Sequence, residues 1–383
     1  MIDVNTIIQQ SIPSPCYLVD ERALRENLEI LSDIRLRTGA KILLALKGFA
    51  MFSLFHVIRE YLDGTCASGL YEARLGRENF GKEVHVFSPA YSEDEFDELL
   101  TISNHIVFNS FSQWERFKSH LTQKPSNLRF GLRVNPEHSE ADVELYDPCA
   151  PRSRLGIRRR DFEGKSIDGI SGLHFHVLCE HNADALRRTI SAFVDKFGEF
   201  LPFLEWVNFG GGHHITRPDY DRNLLCNILS KFKETYHVDI YLEPGEAVVL
   251  NAGILVATVQ DIVYNEIDIA ILDISATCHM PDVLEMPYRP KVEGGGLPGE
   301  KRFLYRLAGL SCLAGDVVGD YSFDTALKIG DKLVFYDMAH YTMVKTTMFN
   351  GVKHPAIIIW NPVEGRIKVV REFTYEDYKN RLS

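Results

Sequence analysis

KILLALKGFA, residues 41–50, sets five apolar residues, Ile42 to Leu46, directly ahead of a lysine and a glycine. An apolar run of this length without alternation reads as a strand buried on both faces, the habit of a parallel sheet covered by helices. An ammonium at the C-terminal end of such a strand is costly to bury unless a function requires it. Lys47 is therefore a candidate for imine formation with a carbonyl group. The alternative is a lysine that reaches along its own aliphatic stem to solvent.

The same texture extends on both sides of this run. PCYLVD (15–20), DGTCAS (63–68), EVHVFS (83–88), HIVFNS (105–110), LRFGLRVN (128–135), GISGLHFHV (169–177), WVNFGGG (206–212) and DIYLEPG (239–245) are short apolar runs. Between them lie amphipathic helical windows such as ERALRENLEILSDI and ADALRRTISAFVDKF. About eight strand–helix repeats predict an α/β barrel of the TIM type over 15–246, with an open doubly wound sheet as the competing arrangement. After Gly245 the runs become β-branched and aromatic, as in VVLNAGILVATVQDIVYN, KLVFYDM and AIIIWN. These predict a C-terminal antiparallel β domain, a sandwich or barrel made of 247–383 with 1–14. The glycine-rich VEGGGLPGE (292–300) reads as a flexible surface loop.

Composition narrows the class of function. With 383 residues, 45% of them hydrophobic and 25% charged, the chain can build substantial cores and leaves little room for long disorder. A formal charge of −11 argues against nucleic acid or an anionic membrane as partner and suits a cationic small molecule. Seven cysteines without a CxxC pair suggest neither a disulfide framework nor a zinc ribbon, and free thiols fit a reducing compartment. No signal peptide or membrane-spanning run is present in the sequence, so a cytoplasmic location is expected.

In a barrel the C-terminal ends of the strands converge on one open face, so motifs far apart in sequence can meet there. Four motifs fall at such ends: Lys47, the pair His174 and His176, the run Gly210, Gly211 and Gly212, and Glu243. Three glycines in a row can offer bare backbone amides to a phosphate, or can simply make a tight turn. HxH is also a metal-ligand spacing, with His213 and His214 as further donors, but metal leaves the glycine run unused and none is expected. Pyridoxal phosphate uses all four motifs, since it needs a lysine for its aldehyde, amides for its phosphate, a flat group against its ring and a partner for its ring nitrogen.

On these residues the chain resembles the barrel-fold pyridoxal-phosphate decarboxylases, the group that also contains alanine racemase. The resemblance covers nearly the whole length: LALK at Lys47, HFHV at His176, GGG at 210–212, EPG at Glu243, SC at Cys312, and AHYT and FNG around Tyr341 and Asn350. It implies that Lys47 carries the cofactor, that His176 stacks on its ring, and that Glu243 meets the pyridine nitrogen. The glycines and Tyr341 would hold the phosphate. Cys312 would reach into a neighbouring subunit's site as proton donor, which implies a homodimer with shared active sites. A carboxylate opposite the ring nitrogen favours decarboxylation over racemisation, because racemases carry arginine there.

The pattern also departs from better-known members. Leu313 stands where ornithine and diaminopimelate decarboxylases carry an acidic residue, and EPGR has become EPGE with Glu246. GGGHHIT, EPGEA and SATCHMPDVLEMPYRP resemble the branch that acts on carboxylated polyamines, so the resemblance implies such a small molecule as substrate. Asp273, Asp282, Glu285 and Asp316 are the candidates for its amines. Diaminopimelate decarboxylation is the alternative within the family, and a carrier or regulatory homologue without turnover is the alternative of another class.

Overall fold

The computed structural model describes residues 4, 7, 12–123, 127–141 and 143–383. The chain divides into two compact units, Asn27–Val248 and the combination of Met1–Glu26 with Val249–Ser383.

In the first unit eight parallel strands close into a barrel. They are β2 (Lys41–Ala45), β3 (Gly64–Ala67), β4 (Glu83–Phe87), β5 (His105–Phe108), β6 (Arg129–Arg133), β7 (Gly172–His174), β8 (Trp206–Asn208) and β9 (Asp239–Leu242). Closure is made where Lys41 pairs with Tyr241 and Ile42 with Leu242, and Ala45 N donates to Pro244 O at 3.0 Å just beyond. The doubly wound alternative is thereby excluded. Inside, Leu43, Val107, Trp206 and Tyr241 form an apolar layer. Trp206 fits because β6 and β7 present no side chain to it: a Cβ at Gly172 would lie 2.0 Å from its ring, and one at Gly131 2.5 Å. Toward the strand N-termini lies a polar layer. Lys41 Nζ donates to Glu83 Oε1 (2.8 Å) and to Tyr241 OH (2.9 Å), and the His85 and His105 rings stack at 3.8 Å.

In the second unit the sheet runs β13–β12–β11–β10–β1–β15–β16, with β14 also paired to β10. These strands are β1 (Cys16–Asp20), β10 (Gly253–Asn265), β11 (Ile267–Leu272), β12 (Phe303–Ala308), β13 (Val317–Phe323), β14 (Lys332–Tyr336), β15 (Ala356–Asn361) and β16 (Arg366–Arg371). Two expectations need correction here. PCYLVD, placed above in a barrel spanning 15–246, is instead the central strand β1, antiparallel to β10 and parallel to β15. All five of its residues are buried. A strand covered on both faces has the same apolar pattern in either sheet, so periodicity cannot separate the two placements. The domain is mostly antiparallel as expected, with β11 and β12 a second parallel pair. Of the segment 1–14 assigned to this domain, Val4, Ile7 and Ile12 join its core, and residues 1–3, 5, 6 and 8–11 lie outside the described residues. VEGGGLPGE is pinned rather than loose, because Gly296 and Ser322 exchange backbone hydrogen bonds of 2.8 and 3.0 Å.

Gly172→Ala should test the packing of the barrel interior. The added methyl has no room against Trp206, and the expected loss is about 3 kcal/mol of unfolding free energy, the upper range for overpacking. Trp206→Leu in the same chain should recover part of it. A denaturant midpoint unchanged by Gly172→Ala would contradict this packing.

Candidate active site

The C-terminal ends of six barrel strands bring the chemistry together. Lys47 follows β2, Cys66 lies on β3, Arg133 ends β6, His174 ends β7, Asn208 ends β8, and Glu243 follows β9. Three of the predicted groups, Lys47, His176 and Glu243, therefore share one mouth.

Glu243 sets its electrostatics. Its Oε1 accepts from Asn208 Nδ2 at 2.7 Å. His174 Nε2 stands 3.3 Å from Oε2, close enough to attract but not aligned as a hydrogen bond. Burial pushes this carboxyl up, but His174 and then Asn208 outweigh it and hold it down to about 2. Burial drives His174 itself toward its neutral form, so the charge we assign to the pair at neutral pH is the carboxylate's. The Cys66 thiol stays protonated, raised well above its ordinary range by burial and then by Glu243.

Lys47 opens to the mouth, yet its ammonium is depressed, first by loss of surrounding water and then by Arg133, against the pull of Cys66 and Glu243. Its Nζ lies 3.3 Å from His176 Nε2. The other ring nitrogen of His176, Nδ1, accepts from Gly211 N at 3.0 Å. A neutral ring that accepts at Nδ1 carries its hydrogen at Nε2, the nitrogen that faces Lys47. Burial, Lys47 and Arg133 all push the pKa of His176 well down, which favours a neutral ring.

Arg133 was not anticipated from the sequence. It is 5% exposed, donates from Nη2 to His176 O at 3.1 Å, and lies over the Phe87 ring at 4.5 Å. Burial lowers its pKa to about 10, so it remains a cation at neutral pH. LRFGLR carried the same signal as LALK, a base closing an apolar strand. Asn208, at the end of WVN, was also missed.

The glycine run has a reason that precedes any ligand. Gly210 and Gly212 have φ of +67° and +83°, and a Cβ at Gly211 would stand 2.1 Å from Glu243 O. Gly210 N is committed to Asn208 Oδ1 (2.8 Å), and Gly211 N to His176. These glycines let the β8 and β9 ends touch, and two of their three amides orient the site's own side chains.

The remaining candidates lie in the second unit. Cys312 is exposed, and its N–H donates to Asn350 Oδ1 at 2.8 Å. Tyr341 has φ +48° in the segment following β14. Asp316, expected to bind an amine, is 3% exposed and already accepts from Ser275 Oγ, Ala276 N and Ser311 N at 2.7–3.0 Å. It holds the backbone beside Cys312 instead. Asp273 likewise accepts from Ser14 Oγ and Thr258 N, both at 2.7 Å, and ties β10 to β11. Asp316 is thus buried and engaged through both oxygens, whereas Asp273 is only partly buried. Asp282 and Glu285 are different: both bind the ammonium of Lys345.

Pyridoxal phosphate fits the donor set in the barrel mouth: a depressed lysine amine, an ionised carboxylate, a neutral imidazole and a glycine-lined turn.

Comparison with known proteins agrees. A family described as pyridoxal-dependent decarboxylase, C-terminal sheet domain, matches residues 16–339. A carboxynorspermidine/carboxyspermidine decarboxylase of Campylobacter jejuni is 47% identical over 383 residues, covering 97% of this chain and 99% of its own. A carboxyaminopropylagmatine decarboxylase of Synechocystis is 46% identical over 374 residues, covering 97% and 96%. The crystal structure of a Campylobacter jejuni carboxynorspermidine decarboxylase complexed with norspermidine aligns with a TM-score of 0.89 at 45% identity, covering 97% of this chain and 100% of that one.

Arg133→Met tests the electrostatics of Lys47. A nearby cation disfavours the ammonium, so its removal should raise the Lys47 pKa and move the pH midpoint for modification of that amine by an aldehyde upward. A midpoint that stays or falls would show that Arg133 does not govern the amine.

Proposed function

The chain belongs to the pyridoxal-dependent decarboxylases, and we propose that it converts carboxynorspermidine or carboxyspermidine to norspermidine or spermidine in polyamine biosynthesis. The observation that carries the reading is the joint presence, at one barrel mouth, of Lys47 with its Nζ 3.3 Å from His176 Nε2 and Glu243 held by Asn208 at 2.7 Å.

Bound pyridoxal phosphate supplies an electron sink for the charge left when CO2 departs. Lys47 carries it through a nucleophilic amine, and His176 offers the flat face of a ring fixed by Gly211. Glu243 keeps a proton at the pyridine nitrogen, an assignment that favours loss of CO2 over racemisation. The glycine turn at Gly210, Gly211 and Gly212 would lie at the phosphate end. Cys312, contributed by the partner subunit of a homodimer, delivers the proton to the substrate's α carbon. Asp282 and Glu285 face the amine chain, and a cytoplasmic location fits; among the described residues no helix is long and apolar enough to cross a membrane.

Leu313 in place of an acidic residue speaks against diaminopimelate, lysine and ornithine as substrates. A second reading follows from the Synechocystis carboxyaminopropylagmatine decarboxylase, whose named substrate ends in a guanidine rather than an amine and whose identity is nearly equal. The purified enzyme should be given carboxynorspermidine, carboxyspermidine, carboxyaminopropylagmatine and diaminopimelate, with CO2 and the released amine measured. Fastest turnover of a carboxylated triamine is expected. Preference for the agmatine compound would establish the second reading, and efficient use of diaminopimelate would overturn both.

A further inference from the structure

FNG, residues 349–351, forms a tight turn in the second unit. Asn350 is exposed and has φ +57°, a left-handed backbone that glycine adopts without penalty and asparagine tolerates better than most residues. Its side-chain Oδ1 accepts from Cys312 N at 2.8 Å. The turn that presents this oxygen is locked, with Gly351 N bonded to Met348 O (3.0 Å) and Val352 N to Phe349 O (3.1 Å). Thr347 N donates to Cys278 O at 3.0 Å and joins the turn to the short helix Ala276–His279.

The loop around Cys312 is fixed from three directions. Leu310 N donates to Ile274 O (3.1 Å), Ser311 N to Asp316 Oδ2 (3.0 Å), and Cys312 N to Asn350 Oδ1. Three successive amides are thus held by three different parts of the same unit. Ile274 and Asp316 are buried, whereas Asn350 is exposed and grips the amide of the cysteine itself. The rotamers open to a side chain depend on its own backbone, so this bond narrows where the Cys312 thiol can point.

We propose that Asn350 is a positioning residue for proton delivery, one that aims the Cys312 thiol so that its proton reaches the substrate's α carbon from a single face. The proposal rests on the reading above in which Cys312 supplies that proton. In that step the S–H bond breaks as a C–H bond forms where the carboxylate was, and the thiolate regains its proton from water. Asn350→Gly keeps the left-handed backbone and removes the acceptor, while Asn350→Asp keeps an oxygen at the same reach.

The test runs the holoenzyme on the preferred carboxylated triamine in D2O, so that one deuterium replaces the departing carboxylate. The configuration of the deuterated carbon is read by NMR after coupling the amine to a chiral acid. Wild type and Asn350→Asp should each give a single configuration. Asn350→Gly should give a mixture, with kcat roughly tenfold lower and KM almost unchanged, a part of the about 10²–10⁴-fold that a positioned general acid contributes. Loss of the turn's stability alone would change the amount of folded enzyme but not the face of protonation. Should Asn350→Gly not fold, Asn350→Ala at the same exposed position carries the comparison. A single configuration in the folded variant that lacks the oxygen overturns the proposal, whatever its kcat. Cys312→Ala that keeps both the single configuration and the wild-type kcat would instead overturn the assignment of Cys312 on which the proposal rests.

Discussion

A single negative charge, kept ionised inside a barrel that has little water to solvate it, governs the arrangement at the mouth. Glu243 stays a carboxylate because Asn208 donates to one oxygen and His174 stands beside the other. A lone buried charge is costly, and here the surrounding groups are chosen to tolerate it. Lys47, His174 and His176 are all driven toward neutrality, and the one firm cation at this mouth among the described residues is Arg133. The result is a fixed anion across from a reactive amine. An aromatic nitrogen and an aldehyde on the same ring need that pairing.

The backbone that holds this charge depends on side chains that are missing. Gly211 brings the β8 end against the carbonyl of Glu243, and its amide then fixes the tautomer of His176. One residue thus sets both the distance between two strand ends and the direction of a ring hydrogen. Deeper in the barrel, Gly172 makes room for Trp206, which fills the interior beneath the reactive layer. Packing and chemistry share the same few positions because the strands that carry the groups are also the walls.

Much of this was legible in the sequence. The eight barrel strands are eight of the nine apolar runs between residues 15 and 245, and Lys47, His176 and Glu243 stand out in the sequence because charged or polar groups closing apolar strands are conspicuous. The ninth run, Cys16–Asp20, was misplaced because a strand buried on both faces looks alike in a barrel and in the middle of a mixed sheet. Arg133 bears the same signature as Lys47, a base closing an apolar strand. Asp273 and Asp316 each accept hydrogen bonds within the fold, which the sequence does not show. Whether a carboxylate is free or already filled by backbone amides depends on loops brought together by the fold, and no local pattern reports it.

The account stands or falls on which amine carries the cofactor. The holoenzyme, reconstituted with pyridoxal phosphate, can be reduced with borohydride, digested and mapped by mass spectrometry. A pyridoxyl group on the peptide containing Lys47, lost in Lys47→Ala, is the predicted result. Modification at a different lysine, or a protein that takes up no cofactor, would contradict it.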